Sequence, residues 1–403
     1  MNYLISAYSV NPYKGSEDSI GWNWVLQYEK NYKKGDRIIL LTKKFNEKDT
    51  RKGLKEFNIQ HVELVIVDVP NALNWFREKH SAFHHMYYIL WQHWAWLWVK
   101  HSGIHFDVIH HVTMNDYRIP SEMYKAKGAK VIWGPMGGAQ VTPKPLKVYE
   151  KNQLVANFRE FVNRSCSWNP LYKIALRSYY KIYCINNETQ KQISRIVGKD
   201  VPLMPELALR DEYKNLPIQK RKNDILKIVF VGRLIGKKGI AFLVDALSLM
   251  PTDMEWELLI FGDGDDRALI ERQIADSGIE ENIKLMGNRP LNQIAEAYQQ
   301  ADIFVLPSLR ETSGNVLLEA MAYAVPIVAF DTSFCRLLKK VDCGIFVNTE
   351  QALDNIKADY CKAIVTLEQD KKLAKQMGLN GHKYVNKYLT WEAKYEVLLK
   401  EFL

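Results

Sequence analysis

Short apolar runs, each closed by a polar or glycine-bearing turn, recur along the chain with helical patterns between many of them, and this alternation constrains the fold more than any other feature. In the first half the runs are YLISAYS, RIILLT, VELVIVDV, FDVIHHVT and KVIWGPM. A run that is apolar on both faces reads as a strand covered on both sides, and strands that alternate with helices are joined by crossovers into parallel α/β layers. At Ile225 the same grammar restarts with ILKIVFVGRL, the helix GIAFLVDALSLM, WELLIFGDG, the helix DDRALIERQIADSG, IKLMG, the helix LNQIAEAYQQA, DIFVLPS, a further helix and PIVAFD. The 403 residues are too many for one compact core and suit two. The expected fold class is therefore α/β, with two Rossmann-like doubly wound domains facing across a cleft. The first is expected over 1–200 and the second over 206–385, joined within the proline- and charge-rich stretch 198–224. The last helix, about 386–403, is expected to pack back on the first domain. Ligands of doubly wound sheets lie beyond the carboxyl ends of the strands, so functional groups are to be sought in the loops that follow them.

One such loop opens ETSGNVLLEAMA, Glu311 to Ala322. Ser313 reads as the N-cap of a helix, which leaves the amides of Gly314, Asn315 and Val316 as first-turn donors without helical partners. A helix start of this kind attracts phosphate. Glu311 precedes it, and Glu319 leans back toward it from within the helix, so both carboxylates can reach one hydroxyl-rich ligand. A partly exposed helix position accounts equally well for Glu319 taken alone. In FVGRLIGKKGIAFL, Gly232 and Arg233 follow a strand and Lys238 precedes a helix, an arrangement able to neutralise a diphosphate without a metal. FGDGDD holds Asp263-Gly264-Asp265, a D-x-D pattern whose carboxylates suit Mg or Mn. Its position at a strand end entering a helix also suits a tight turn at Gly262 and Gly264 with a dipole-favoured acidic first turn. Arg289 lies in the turn after the next strand, where it can flank a base.

In the first half, Gly15, Ser16 and Glu17 form a turn before a helix. His110 and His111 end a strand, and alternation turns them to opposite sides, so at most one faces a cleft. Alternation alone does not say which, and a histidine packed at a strand end is the competing reading. Gly134 to Gly138 end another strand in a glycine-rich turn.

GRLIGKKG, FGDGD, ADIFVLPSLRETSGNVLLEAMAYAVPIVAFD and YLTWEAKYEVLLKEF, in that order, resemble the family 4 retaining glycosyltransferases, which have the GT-B fold. GSE…GWNW and VIWGPMGGAQ resemble turns of a bacterial polysaccharide-biosynthesis branch. The resemblance implies that Arg233 and Lys238 bind the donor diphosphate, that Glu319 holds the ribose, and that Glu311 lies against the donor sugar with the amides of Ser313, Gly314, Asn315 and Val316. It implies donor contacts from Gly15, Gly232, Gly262 and Arg289, and acceptor contacts from Glu17, Asn115, Gly137 and Gly138. Catalytic roles fall to Glu311, Arg233, Lys238 and His111. The expected reaction moves a hexose from a UDP-sugar or GDP-sugar to a saccharide or lipid-linked acceptor with retention, in capsule, lipopolysaccharide or related synthesis, and no metal cofactor is expected. The family often has E-G-F-G where this chain has Glu311-Thr312-Ser313-Gly314, which bears on the choice of sugar. A nucleotide-sugar epimerase of the same architecture and a metal-dependent transferase using Asp263 and Asp265 are the alternatives.

Charge and composition bear on partners. Residues 1–200 hold 29 Lys and Arg against 17 Asp and Glu, whereas residues 201–403 hold 26 against 29. The basic half suits an anionic membrane surface, and the tryptophans from Trp75 to Trp98 among basic residues suit either an interface or a core-packing helix. No nucleic-acid-binding module is recognisable. No secretory signal and no run of 18 apolar residues is evident, and five scattered cysteines form no C-x-x-C. The expected location is cytoplasmic, with peripheral attachment to the inner face of the plasma membrane.

Overall fold

The computed structural model describes residues 1–70, 84–150, 153–218, 224–312 and 314–402. It contains two six-stranded sheets, parallel throughout. The first comprises β1 (Asn2–Ser6), β2 (Arg37–Thr42), β3 (Val62–Ile66), β4 (Val108–His111), β5 (Lys130–Met136) and β6 (Lys181–Cys184), in the order β3-β2-β1-β4-β5-β6. The second comprises β7 (Leu226–Val231), β8 (Trp256–Phe261), β9 (Ile283–Gly287), β10 (Ile303–Leu306), β11 (Ile327–Phe330) and β12 (Gly344–Val347), in the order β12-β11-β10-β7-β8-β9. Read from its other edge, the second order is the first one repeated. Each sheet reverses its winding next to its own first strand, between β1 and β4 and between β7 and β10, and there the carboxyl-end loops part to leave room for a ligand.

Every residue of β4 and of β10 is buried, as two-sided helical cover requires of central parallel strands. Five strands are legible in each half from apolar runs, and the structure adds β6 and β12. Both are four residues long and lie at a sheet edge, where a short run such as KIYC or GIFV carries little periodic signal.

The chain divides into two compact units, one made of 1–139, 163–206 and 391–403, the other of 140–162 and 207–390. Compared with an expected first domain of 1–200, the segment 140–162 changes sides. Its Leu146 is fully buried in the second core, and Tyr149 sits edge-on to Phe242 while donating to Asp245 at 2.5 Å. The last helix, Trp391–Phe402, belongs to the first unit, where Tyr395 packs edge-on to Tyr28, and Phe402 packs near Tyr3.

The tryptophan-rich stretch is a helix over His84–His101. Trp91 is fully buried and donates through Nε1 to the Val67 carbonyl at 2.9 Å, and Trp94 and Trp98 pack partly buried against the same core. The core-packing reading is therefore the one these residues follow; Trp75 lies outside the described residues. Among the described residues no helix is long and apolar enough to cross a membrane.

Candidate functional site

In the second unit, three loops at strand carboxyl ends are joined to one another by backbone hydrogen bonds. Gly232 N donates to Phe261 O, Leu234 N to Asp263 O, and Leu309 N to Lys237 O, at 2.9–3.0 Å. The ladder of the sheet thus continues past the strands and fixes the loops after β7, β8 and β10 around one point. Gly262 is at φ +127°, and a Cβ there would stand 2.0 Å from the Gly232 carbonyl oxygen. The need for glycine at this position is set by a neighbouring backbone.

Glu311 is buried beneath this point. Lys238 Nζ donates to its Oε2 at 2.5 Å, Ser308 Oγ to the same oxygen at 3.0 Å, and the Thr312 amide to Oε1 at 3.2 Å. One lysine hydrogen is used in this way, which leaves two donors for an anion. Lys237 and Arg233 stand exposed on the same turn. Although Lys237 reaches solvent, its pKa is lowered, first by partial loss of hydration at its base and then by the charges of Lys238 and Arg233, with Glu311 acting in the opposite direction. Lys237 thus feels an excess of positive charge, which an anion would relieve.

The helix after Glu311 runs Asn315–Ala322, and its N-cap is Gly314 at φ +56°. The expectation of Ser313 as N-cap is corrected on this point, and Ser313 itself lies outside the described residues. A left-handed residue ahead of the first turn is the reason: glycine adopts it without the Cβ penalty. Asn315 is exposed and Val316 half-buried, and their amides head the helix. Thr312 Oγ1 accepts from Gln140 Nε2 at 2.8 Å, so the first of the two residues that depart from E-G-F-G is anchored to the segment that changed sides.

Glu319 is held at both oxygens. Arg210 Nη2 donates to Oε1 at 3.2 Å and Tyr298 OH to Oε2 at 3.2 Å. Burial raises its pKa, and Arg210 opposes that rise. Arg210 lies over the Tyr213 ring, 4.7 Å from its centroid. Sequence reasoning missed Arg210, Tyr298 and Ser308. Arg210 sits in the linker ALRDEY and Tyr298 within an amphipathic helix, and neither position carries a motif.

Asp263 caps its own turn through the Gly264 amide at 2.8 Å and pairs with Arg267 at 3.3 Å. Among the described residues no group of three or more His, Cys, Asp or Glu side chains is placed to hold a metal ion. Arg289 is exposed, and its Nε donates to the Met286 carbonyl at 2.8 Å.

In the first unit the loops after β4 and β5 are joined in the same way, with Gly137 N donating to Asn115 O and Tyr117 N to Gly137 O, both at 3.0 Å. Gly138 is at φ +115° against Asp116 and Tyr117. Asn115 Oδ1 is buried, with no hydrogen-bond partner among the described residues. The preceding residue, Met114, is at φ +55°, costly for a side chain of its size, and its amide donates to the Glu17 carboxylate. Gly15 caps the helix carrying Glu17, with open space around it.

His111 corrects a second expectation. It is fully buried, its Nδ1 lies 2.9 Å from Ser6 Oγ and its Nε2 2.8 Å from Tyr88 OH. Burial lowers its pKa to about 3. His110 is equally enclosed, 3.1 Å from the Gly134 carbonyl and edge-on to Trp24. With both ring nitrogens of His111 occupied and the ring neutral, it serves the packing of the strand end, and a catalytic role is not carried further.

Burial, and then the nearby Glu206 charge, raise the Glu17 pKa to about 7. The fold thus favours protonated Glu17, and this preference costs stability as pH rises from the ordinary glutamate range through 7. Glu17→Gln keeps an acceptor for the Met114 amide and removes the charge. It is expected to stabilise the protein at pH 8 by about 1–2 kcal/mol, well below the full linkage value because the side chain is only partly enclosed. The gain should vanish near pH 4. Denaturant unfolding of both proteins at the two pH values checks this, and an equal difference at both would refute it.

Residues 226–370 match the family described as Glycosyl transferases group 1. Among curated relatives, the amylovoran biosynthesis glycosyltransferase AmsK of Erwinia amylovora is 33% identical over 134 residues, 32% of this chain and 33% of that protein. An uncharacterized glycosyltransferase of Methanocaldococcus jannaschii is 25% identical over 285 residues, 69% of this chain and 76% of that one. The chain thus spans only about a third of the length of AmsK. Among solved structures, the apo form of the lipopolysaccharide outer core galactosyltransferase WaaB aligns with a TM-score of 0.64 at 16% identity, covering 100% of this chain and 99% of that one. Anabaena HepE in complex with UDP-glucose aligns with a TM-score of 0.60 at 15% identity, covering 99% and 98%. The fold is that of the GT-B glycosyltransferases, and within the second unit residues 226–370 are similar to the group 1 glycosyl transferases.

Proposed function

We propose that this protein is a retaining glycosyltransferase that moves a hexose from a UDP-sugar or GDP-sugar to a saccharide or lipid-linked acceptor, working peripherally at a membrane in cell-surface polysaccharide synthesis. The observation that carries the reading is one helix start flanked by two carboxylates, buried Glu311 held by Lys238 and half-buried Glu319 held by Arg210 and Tyr298. In this reading Lys238, Arg233 and the amides of Asn315 and Val316 take the donor diphosphate and stabilise the charge that develops as it leaves. Glu319, whose charged form Arg210 supports against the effect of burial, accepts from the ribose hydroxyls, and Glu311 orients the sugar. Glu17, Asn115, Gly137 and Gly138 form the acceptor side. The names of AmsK, an amylovoran biosynthesis glycosyltransferase, and of WaaB, a lipopolysaccharide outer core galactosyltransferase, support the acceptor class.

The test is a thermal-shift panel of UDP-, GDP- and ADP-sugars, with and without EDTA, on wild type and Glu319→Ala. A metal-independent rise in midpoint with one nucleotide, absent in the variant, is expected. A shift abolished by EDTA would move the donor site to Asp263 and Asp265, and no shift with any donor would sink the reading.

A further inference from the structure

The first unit has a recess at the amino ends of its strands, opposite to the loops that follow β4 and β5. Ile104, His105 and Phe106 lead into β4, Lys127 and Ala129 lead into β5, and the helix His84–His101 closes the remaining side. Between them lies a cavity of about 420 Å³, within the range that small-molecule sites occupy. Its floor is apolar, with Val99 and Phe106 buried and Ile109 fully so. All of its lining residues belong to the first unit.

The charged groups of the lining have one sign. Lys100, His105, Lys125 and Lys127 line the cavity, and among the described residues no acid does. The Lys100 and Lys125 ammonium groups both stand over the ring of Trp96, 5.4 and 4.7 Å from its centroid. Two cations drawn to one ring repel each other, and an anion near both relieves that repulsion. Lys125 pairs with Glu122 at 2.7 Å, but Glu122 also meets His93 at 3.1 Å. Among the described residues Lys100 and Lys127 have no ion-pair partner. Asp107, next to the cavity in sequence, is occupied elsewhere and accepts from the Asn2 amide at 2.6 Å. Gly128 is at φ +84°, and a Cβ there would stand 3.3 Å from His105 Cε1, so the turn carrying Lys127 lies against the His105 ring. An apolar floor with four basic groups around it fits a ligand that joins an apolar body to a compact anion. Lysine binds as a point charge with three rotatable donors, which suits the several oxygens of a phosphate. A phosphomonoester carries nearly two charges at neutral pH and answers three ammonium groups better than one carboxylate does.

We infer that this cavity at the amino ends of β4 and β5 binds a phosphomonoester carried on an apolar body. Such a site is independent of the donor reading. The experiment is calorimetric titration of the full chain with hexyl phosphate, and with inorganic phosphate and hexanol as its two halves. Wild type should bind hexyl phosphate at least about tenfold more tightly than either half, since only the whole ligand meets both floor and cations. Lys100→Glu and Lys127→Glu should each weaken that binding by about tenfold or more, the scale of one charge-assisted hydrogen bond. Lys55→Glu, the same change of charge at an exposed position on another helix, should bind as wild type does. Thermal midpoints without ligand check that the variants are folded. Vesicles of phosphatidylcholine with and without phosphatidic acid then separate the sources of the ligand. Co-sedimentation that needs phosphatidic acid and is weakened by Lys127→Glu assigns a lipid phosphate, and hexyl phosphate binding without co-sedimentation assigns a soluble one. No preference of wild type for hexyl phosphate over its halves overturns the inference, as does equal weakening by Lys55→Glu and Lys127→Glu. Binding that survives Lys100→Glu and Lys127→Glu but is lost in Arg233→Ala also overturns it, since the phosphate then sits in the donor site.

Discussion

Lys238→Met is expected to lower turnover of the nucleotide-sugar, followed as release of nucleoside diphosphate, by about 10²–10³-fold, the usual cost of removing one group aimed at developing negative charge. The same substitution strips a buried carboxylate of its cation. Glu311 keeps only Ser308 Oγ and the Thr312 amide, and a buried charge without its counterion costs about 1–3 kcal/mol of stability. The two losses are separable. The double variant Lys238→Met/Glu311→Gln removes both charges together, so it should recover most of the stability while turnover stays low. The double-mutant cycle then gives the coupling of the pair in stability apart from the role of the ammonium toward the donor. If turnover, corrected for the folded fraction, is near wild type in Lys238→Met, the ion pair serves the fold alone and the diphosphate must rest on Arg233 and the helix start.

That the pair exists at all was only half legible in the sequence. Lys238 and Glu311 each stand beside a strand end, and strand ends follow from apolar runs, so both could be assigned to loops of one sheet. Their direct contact across 73 positions depends on the order β10-β7, which places sequence-distant strands side by side. The same topology brings Arg210 to Glu319 across 109 positions, and no local pattern in ALRDEY announces it. His111 failed for the complementary reason. Alternation settles the side of a strand to which a residue points, but does not show that a tyrosine from a distant helix will already fill that side, as Tyr88 does. Ser313 is the helix-start residue that composition favours, yet the left-handed geometry of Gly314 places the cap one residue later. The strands β6 and β12 were missed because a four-residue edge strand gives almost no period to read. The tryptophan-rich helix shows the limit of composition. Trp91 and Trp94 sit among histidines and lysines in sequence, but the helix turns Tyr87, Tyr88, Trp91, Trp94 and Trp98 toward the core and leaves Lys100 exposed.

Gly262→Ala is expected to cost about 3–5 kcal/mol, the range of substitutions that force a strained backbone against a packed neighbour. The added Cβ would stand 2.0 Å from the Gly232 carbonyl oxygen, at φ +127°, on a residue whose amide also donates to Gly287 O. Neither partner can yield, since the carbonyl and the amide belong to adjoining loops of one backbone ladder. For a unit of this size the thermal midpoint should fall on the order of 10 °C. Donor affinity, measured at low temperature where the variant is still folded, should change little, because what the glycine accommodates is backbone. Gly15→Ala is the opposite case. Gly15 is at φ −83°, and nothing stands within 4 Å of an added Cβ, so its stability cost should stay at about 0.5 kcal/mol. Any fall in donor affinity or turnover in Gly15→Ala therefore reports a methyl group intruding on a ligand. A large loss of donor affinity in folded Gly262→Ala together with wild-type behaviour in Gly15→Ala would reverse the assignment, making Gly262 a ligand contact and Gly15 a plain helix cap.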